Sequence, residues 1–202
     1  MTQPIVGVEV LGGVIGTGDA YTYLIANDGV YIAKDGEFLH VKIPIAGCEI
    51  RGLSHIEPSV YLKHGKIPGI LFDLALNCFL ADPDKEQYLA VTWSDGSYHL
   101  MTVNQERKAA SVEYEHIEGA VLDLHSHCNM SARFSAQDDK DETGFRIYGV
   151  VGKLETKPEV MLRVGVYGYF YFLKWDEVFS GTTGVSDVLT QKELEDVAFT
   201  ED

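Results

Sequence analysis

The stretch AVLDLHSHCNMSARFSAQD, residues 120–138, contains the most informative pattern in the chain. Its first part is a short apolar run, typical of a buried strand. Two histidines follow, and because side chains alternate between the faces of a strand, His125 and His127 are expected to point the same way. Ser135 follows after seven intervening residues, with Asp138 one helical turn beyond it. We therefore expect a strand that ends in two histidines and a loop that turns back to bring Asp138 toward them.

Composition limits the classes of partner. The chain has 202 residues, 46% of them hydrophobic, which suits one substantial domain or one domain with a small companion. The net charge of -15 disfavours nucleic acid and anionic membranes, since both would repel the chain. The start, MTQPIVGVEV, lacks the features of a signal peptide, and no apolar stretch reaches the ~18 residues of a membrane span. The three cysteines are odd in number and scattered, which fits reduced thiols, so we expect a cytoplasmic protein.

Strand and turn signals along the chain predict an α+β fold. Residues 1–65 form a small β-rich region, because Asp-Gly pairs at 28–29 and 35–36 separate strand-like runs. Residues 66–180 form the main domain. It opens with a helix in IPGILFDLALNCFLADPDKE, with Pro68 in its first turn and Pro83 beyond its end. Strands follow in EQYLAVTW, SYHLMTV, EGAVLDLHSH, FRIYGVVGKL and EVMLRVGVYGYFYFLKW. The acidic tail, residues 181–202, is either a short helix opened by Ser186 or a frayed end.

The polar groups of residues 125–138 have the chemistry of a metal site. Two imidazoles on one strand face are half of a tetrahedral ligand set, and Asp138 is the candidate for the third ligand. A catalytic zinc site uses three such protein ligands, at about 2.0–2.2 Å, and leaves a position for water. Asp139 is the competing carboxylate, whereas the strand alternation points Cys128 away from the histidines. Asp123 shares the face of the histidines, so it is expected either to hold a histidine tautomer or to pair with another neighbour.

The chain has the pattern His-Ser-His, then seven intervening residues, then Ser-x-x-Asp. This pattern resembles the JAMM motif, the signature of the JAB/MPN metalloproteases. The resemblance covers roughly residues 66–179. It implies a JAB/MPN-like (cytidine-deaminase-like) fold, in which a mixed sheet is flanked by helices. It also implies that His125, His127 and Asp138 bind zinc. In this family the motif serine helps to stabilise the oxyanion, a role that falls on Ser135.

The family's general base is a glutamate at the start of the strand after the first long helix, which corresponds to Glu86 in DPDKEQYLAVTW. This residue would activate the zinc-bound water. Glu113, Glu115 and Glu118 are nearer to the histidines in sequence. They precede the histidine strand, however, so we expect them at its opposite end, away from the metal. Glu86 is therefore the preferred base.

The resemblance implies a zinc-dependent peptidase or isopeptidase that cleaves after the C-terminal tail of a ubiquitin-like protein. A narrower resemblance, over residues 122–154 and 162–172, is to the bacterial group called PRTRC system protein A, which is linked with ubiquitin-like and E1-like (ThiF-related) proteins. These are the implied partners. Cys128 and Phe134 depart from the family pattern, because many relatives have proline there. Two alternatives stay open: a non-catalytic scaffold of the same fold, and a zinc hydrolase for small conjugates.

Overall fold

The structure of the protein is a computed structural model, and it describes residues 8–10, 13–15, 20–102, 105–107, 112–114, 117, 119–181 and 186–187. Backbone contacts divide the chain into two compact units, Met1–Gly65 and Lys66–Asp202. The division falls between residues 65 and 66, where the boundary was predicted. Most of the described chain is strand and a smaller part is helix, which confirms the α+β class.

The first unit is built from antiparallel strands. One pair is β1 (Val8–Val10) with β2 (Gly13–Ile15), and a four-stranded sheet follows in the order β3 (Thr22–Ala26), β4 (Gly29–Asp35), β5 (Leu39–Gly47) and β6 (Ser59–Leu62). The first predicted hairpin forms, but its two-residue loop is Asn27-Asp28, because Gly29 already pairs with Ala26. A Cβ at Gly29 would lie 2.2 Å from the carbonyl oxygen of Ala46, so this first strand residue must be glycine.

The second unit contains one main sheet and short elements around it. It begins with β7 (Ile67–Pro68) and α1 (Gly69–Ala81), then β8 (Tyr88–Ser94), β9 (Ser97–Thr102), β10 (Gln105–Arg107), β11 (Val112–Tyr114) and β12 (Ala120–Ser126). It continues with α2 (Asp138–Asp141), β13 (Phe145–Gly152), β14 (Glu159–Val166), β15 (Tyr169–Leu173), α3 (Trp175–Val178), β16 (Phe179–Ser180) and β17 (Ser186–Asp187). The sheet order is β15-β14-β13-β12-β8-β9, and β17 adds to β14. Within this order only β12 and β13 run parallel.

Two element boundaries differ from the predictions. Pro68 precedes α1 instead of lying in its first turn, because residues 67–68 are extended and pair with β16. Ser186 does not open a helix: it lies in the short strand β17, where it pairs with Glu159. The remaining residues of the predicted tail, 182–185 and 188–202, lie outside the described part of the chain. Helix α1 ends at Ala81, before Pro83, as predicted.

Helix α1 is anchored by an aromatic cluster. Phe72 is fully buried, and its ring centroid lies 5.0 Å from that of Trp175 and 5.5 Å from that of Phe179. Trp175 and Phe179 stack on each other at 4.3 Å. These contacts join the helix to the chain that follows the main sheet. Across the residues that the structure describes, every helix is too short or too polar to cross a membrane.

We expect Phe72→Ala to lower the free energy of unfolding by about 3–5 kcal/mol, because it empties the centre of this cluster. Ile70→Ala is the matched control on the same helix: its side chain is 61% exposed, so its loss should change stability by no more than about 0.5 kcal/mol. Urea denaturation followed by circular dichroism measures both variants. Equal stability losses in the two would show that the aromatic cluster does not anchor α1.

Candidate metal centre

The pairing of β12 with β8 places three functional candidates on one face of the sheet. His125 lies opposite Tyr88 in the antiparallel register. The pairing continues one residue further, since the Ser126 N–H donates to the carbonyl oxygen of Gln87 at 2.9 Å. Continuing this register would put Glu86 opposite His127, on the face of the two histidines. Glu86 and both histidines are buried, and the charge of His125 acts on the Glu86 carboxyl group.

The loop after β12 is held against the end of β13 by backbone hydrogen bonds. His127 N–H donates to the carbonyl oxygen of Val151 at 2.7 Å, and the Lys153 N–H donates to that of Met130 at 2.8 Å. The loop passes so close to Gly152 that a Cβ there would lie 2.2 Å from the Met130 carbonyl oxygen. The glycine therefore makes the space through which the chain turns back toward the histidines.

The three predicted ligands converge. The Nε2 atoms of His125 and His127 are 3.1 Å apart, and His125 Nε2 lies 3.4 Å from Asp138 Oδ1. His127 Nε2 lies 3.7 Å from Asp138 Oδ2. An ion at about 2.0–2.1 Å from each donor in a tetrahedral arrangement would separate the donors by about 3.3 Å. These three side chains can therefore hold a metal ion.

Ser135 and Asp138 form a reciprocal turn that orients the carboxylate. The Ser135 N–H donates to Asp138 Oδ2 at 2.5 Å, and the Asp138 N–H donates to Ser135 Oγ at 3.2 Å. Gln137 N–H also donates to Ser135 Oγ, at 3.3 Å. Because the hydroxyl oxygen is the acceptor in both of these bonds, they leave its proton for a donor bond. Ser135 is exposed, so this proton can reach a bound molecule.

The electrostatics favour the ligand forms of His127 and Asp138. Burial and the nearby charge of His125 together lower the pKa of His127 to about 4, so this ring is neutral at neutral pH. Burial alone would lower the pKa of His125, but its hydrogen bond and charge interaction with Asp138 outweigh burial and raise it. The same interaction holds the pKa of Asp138 well below its usual range, although burial opposes it. Metal binding requires neutral imidazoles and an ionised carboxylate, so an ion that binds here would displace the proton that Asp138 favours on His125.

Glu86 interacts electrostatically with the same cluster. Burial raises the pKa of this carboxyl group, the charge of His125 opposes the rise, and the charge of Asp138 adds to it. A raised pKa brings a carboxylate closer to the value that suits proton transfer near neutral pH. The pKa of Glu86 is therefore shifted in the direction that proton transfer beside the three donors would need.

The competing carboxylates are engaged elsewhere or lie outside the described residues. Asp123 is buried and accepts a hydrogen bond from the Tyr88 hydroxyl at 2.7 Å and from Arg146 Nη1 at 3.0 Å. Asp123 therefore pairs with neighbouring residues, which is one of the two roles expected for it. The other role, holding a histidine tautomer, stays a prediction. Asp139 Oδ1 accepts from Arg163 Nη1 at 2.6 Å. The side chain of Glu113, and all of Glu115 and Glu118, lie outside the described part of the chain.

Three residues that support the site were not identified from the sequence: Gln87, Gly152 and Arg163. The Gln87 amide donates to the carbonyl oxygens of Phe79 and Asp82, both at 3.1 Å, and so ties the end of α1 to the residue after Glu86. No local pattern marks Gln87 or Gly152, since their contacts are distant in sequence. Arg163 does leave a signal, because an arginine inside the apolar run EVMLRVGV must have a buried partner.

Comparison with known proteins adds no family assignment. The chain matches no protein-family model and no curated protein. The functional interpretation therefore depends on the geometry of this site and on the resemblance of its motif.

We expect the metal-free protein to bind one Zn²⁺ per chain, and Asp138→Ala to weaken binding by more than ~100-fold, because one of three ligands is lost. Asp141→Ala is the control, since it removes an exposed carboxylate from the same helical turn. Competition with a chromophoric chelator measures both affinities. Wild-type affinity in Asp138→Ala would remove this residue from the ligand set.

We expect Gly152→Ala to weaken Zn²⁺ binding by ~10-fold or more, because the new Cβ must displace the backbone of the loop that follows His127. The control is Gly47→Ala, where an added Cβ meets nothing within 4 Å. Zn²⁺ affinity and the melting temperature are measured for both. If Gly152→Ala matched Gly47→Ala in both quantities, the close approach of the loop would have no role.

Proposed function

We propose that the protein is a zinc-dependent hydrolase of the JAMM type, with a JAB/MPN-like fold, that cleaves a peptide or isopeptide bond. The observation that carries the proposal is the convergence of donor atoms from His125, His127 and Asp138 at separations of 3.1–3.7 Å, beside a buried Glu86. Two imidazoles and one carboxylate are a typical ligand set for catalytic zinc. Magnesium and calcium prefer sets made only of oxygen, so they fit these residues less well.

Glu86 supplies the proton transfers in this proposal. Zinc, when bound, acts as a Lewis acid and lowers the pKa of a coordinated water toward about 7. The Glu86 carboxylate accepts the proton of the attacking water and then delivers it to the leaving amine. Its burial and its interaction with His125 and Asp138 support this role, because both keep the carboxyl group within the electrostatic field of the site.

Ser135 supplies the hydrogen bond to the transition state. The negative charge of the tetrahedral transition state develops on the former carbonyl oxygen, and a fixed donor near that oxygen lowers the barrier. The reciprocal bonds with Asp138 hold Ser135 close to a metal ligand and leave its hydroxyl proton to be donated. A donor of this kind typically contributes about 3 kcal/mol to the barrier reduction.

The proposed substrate is the C-terminal tail of a ubiquitin-like protein or of its conjugates. This substrate class comes from the resemblance to the JAMM family and to the PRTRC group, in which E1-like proteins would be further partners. An extended tail can bind by adding to a sheet edge, where backbone hydrogen bonds provide affinity. The proposed location of the reaction is the cytoplasm. The net charge of -15 also favours a basic protein over nucleic acid as the binding partner.

We expect Glu86→Gln to abolish cleavage of a ubiquitin-like fusion while retaining Zn²⁺, because the amide cannot accept the water proton. Ser135→Ala should lower kcat by ~10²–10³-fold, because it loses one donor to the oxyanion. Asp176→Asn, which changes an exposed carboxylate in α3, serves as the control. Cleavage is followed by gel electrophoresis and mass spectrometry, with zinc content measured on the same samples.

Two outcomes would contradict the proposal. Undiminished cleavage by Glu86→Gln would remove Glu86 from the mechanism. A wild-type protein that holds stoichiometric zinc and cleaves neither ubiquitin-like fusions nor small conjugates would favour the non-catalytic scaffold. Loss of cleavage on chelation and its return with added Zn²⁺ is the result that the proposal requires.

A further inference from the structure

We infer that Arg163 is a positioning residue that holds the metal-binding turn over the histidines. It lies in the middle of β14 and contacts the chain on both sides of Ser135 and Asp138. The inference rests on the proposed function only to the extent that His125, His127 and Asp138 bind a metal ion. It does not depend on the substrate or on Glu86.

The guanidinium binds two carboxylates that follow Asp138 in the same helical turn. Arg163 Nε and Nη2 donate to Glu142 Oε2 at 2.8 and 2.6 Å, and Nη1 donates to Asp139 Oδ1 at 2.6 Å. Asp139 is the next residue after the ligand Asp138. Glu142 closes the turn, because its N–H donates to the carbonyl oxygen of Asp138 at 2.8 Å. One side chain from the sheet therefore holds both ends of the segment that carries the carboxylate ligand.

The same guanidinium lies against two aromatic rings, one of which belongs to the residue before Ser135. Its central carbon lies 3.8 Å from the centroid of Phe134 and 3.7 Å from that of Phe170. Phe134 directly precedes Ser135, and its ring also lies edge-on to the ring of His125, with centroids 6.4 Å apart. Stacking on a guanidinium requires its planar shape, which an ammonium group does not have.

Arg163 is flanked within the sheet by two aromatic residues. It pairs with Tyr148 on one neighbouring strand and with Phe172 on the other. Arg163 is only 3% exposed, and so is Glu142, so the pair has lost almost all contact with water. A buried ion pair of this kind is often no more stabilising than apolar side chains of equal size, and its clearest benefit is a defined geometry. Here the geometry that it defines is that of the turn between Ser135 and Asp138.

A turn of four helical residues cannot hold itself in place, because helix nucleation is unfavourable and propagation has not begun. Without Arg163 the segment loses its fixed attachment to the sheet. Asp138 then samples positions away from the two imidazoles. We expect Zn²⁺ affinity to fall by ~10–100-fold, the usual result of losing a group that supports a metal ligand.

The test compares Arg163→Met, Arg163→Lys and the double variant Arg163→Met/Glu142→Leu. Each is titrated with Zn²⁺ alone, and with Co²⁺ alone to record the visible absorption that reports coordination geometry. Melting temperatures are measured by circular dichroism, and titrations are run where every variant is folded. Lys140→Met is the control, since it removes an exposed positive charge from the same turn.

If Arg163 positions the turn, both single variants bind Zn²⁺ ~10–100-fold more weakly and alter the Co²⁺ spectrum, while Lys140→Met behaves as wild type. The lysine variant fails as well because an ammonium cannot bridge two carboxylates and stack between two rings. In the double variant the buried unpaired carboxylate is gone, so the melting temperature recovers, but the weak Zn²⁺ binding remains. If Arg163→Met does not fold, the Zn²⁺ affinity of Arg163→Lys is compared with that of wild type and Lys140→Met instead.

Wild-type Zn²⁺ affinity in a folded Arg163 variant would overturn the inference and leave the proposed function intact. Recovery of both stability and affinity in the double variant would show that Arg163 only stabilises the fold, which also overturns it. A wild-type protein that binds no Zn²⁺ would overturn the proposed function and this inference together.

Discussion

Ser126 and Gln87 exchange two hydrogen bonds at the point where β12 ends, and the arrangement of the site depends on this exchange. The Ser126 N–H donates to the Gln87 carbonyl oxygen, and the Gln87 N–H donates to the Ser126 hydroxyl. Ser126 stands between the two histidines, and Gln87 stands directly after Glu86. The exchange therefore sets the distance between the candidate base and the imidazoles. The Gln87 side chain extends this control to the end of α1, where it donates to the carbonyl oxygens of Phe79 and Asp82.

Two separate networks, largely buried except for Asp139, hold the polar groups around the site. One joins Asp123 to Tyr88 and Arg146 beneath the histidine strand. The other joins Arg163 to Glu142 and Asp139 beside the ligand turn. Interior charges of this kind are costly unless their hydrogen bonds are satisfied, and satisfied networks restrict the side chains to one arrangement. The candidate metal ligands are thus flanked by groups that have little freedom to move.

Local patterns predicted the parts of this structure that depend on local physics. Strand alternation placed His125 and His127 on one face, and the helical spacing of Ser135 and Asp138 placed these two together. The α+β class and the end of α1 followed from periodicity and proline positions in the same way. The exceptions depend on strand pairing. Pro68 is extended because it pairs with β16, and the first hairpin has the loop Asn27-Asp28 because Gly29 already pairs with Ala26.

Supporting residues were harder to predict because their partners are remote in sequence. Nothing near Gly152 in the chain reveals that the loop after His127 crosses it. Arg163 is a charge within an apolar strand, which is a signal that the sequence predictions did not use, and its carboxylate partners lie on a different element. The donors of the site can therefore be predicted from their spacing in the sequence. The groups that hold those donors in place can be identified only when the order of the strands in the sheet is known.

The parallel arrangement of β12 and β13 has a consequence for how the protein reaches its folded state. Parallel neighbours require a connection that returns from one end of the sheet to the other, and here residues 127–144 make that return. The connection leaves from the histidines and travels over the sheet, with the ligand carboxylate partway along it. Closing this crossover would consequently also bring the donor atoms toward one another. The topology of the chain, more than attraction to the ion, would then bring the candidate ligands together.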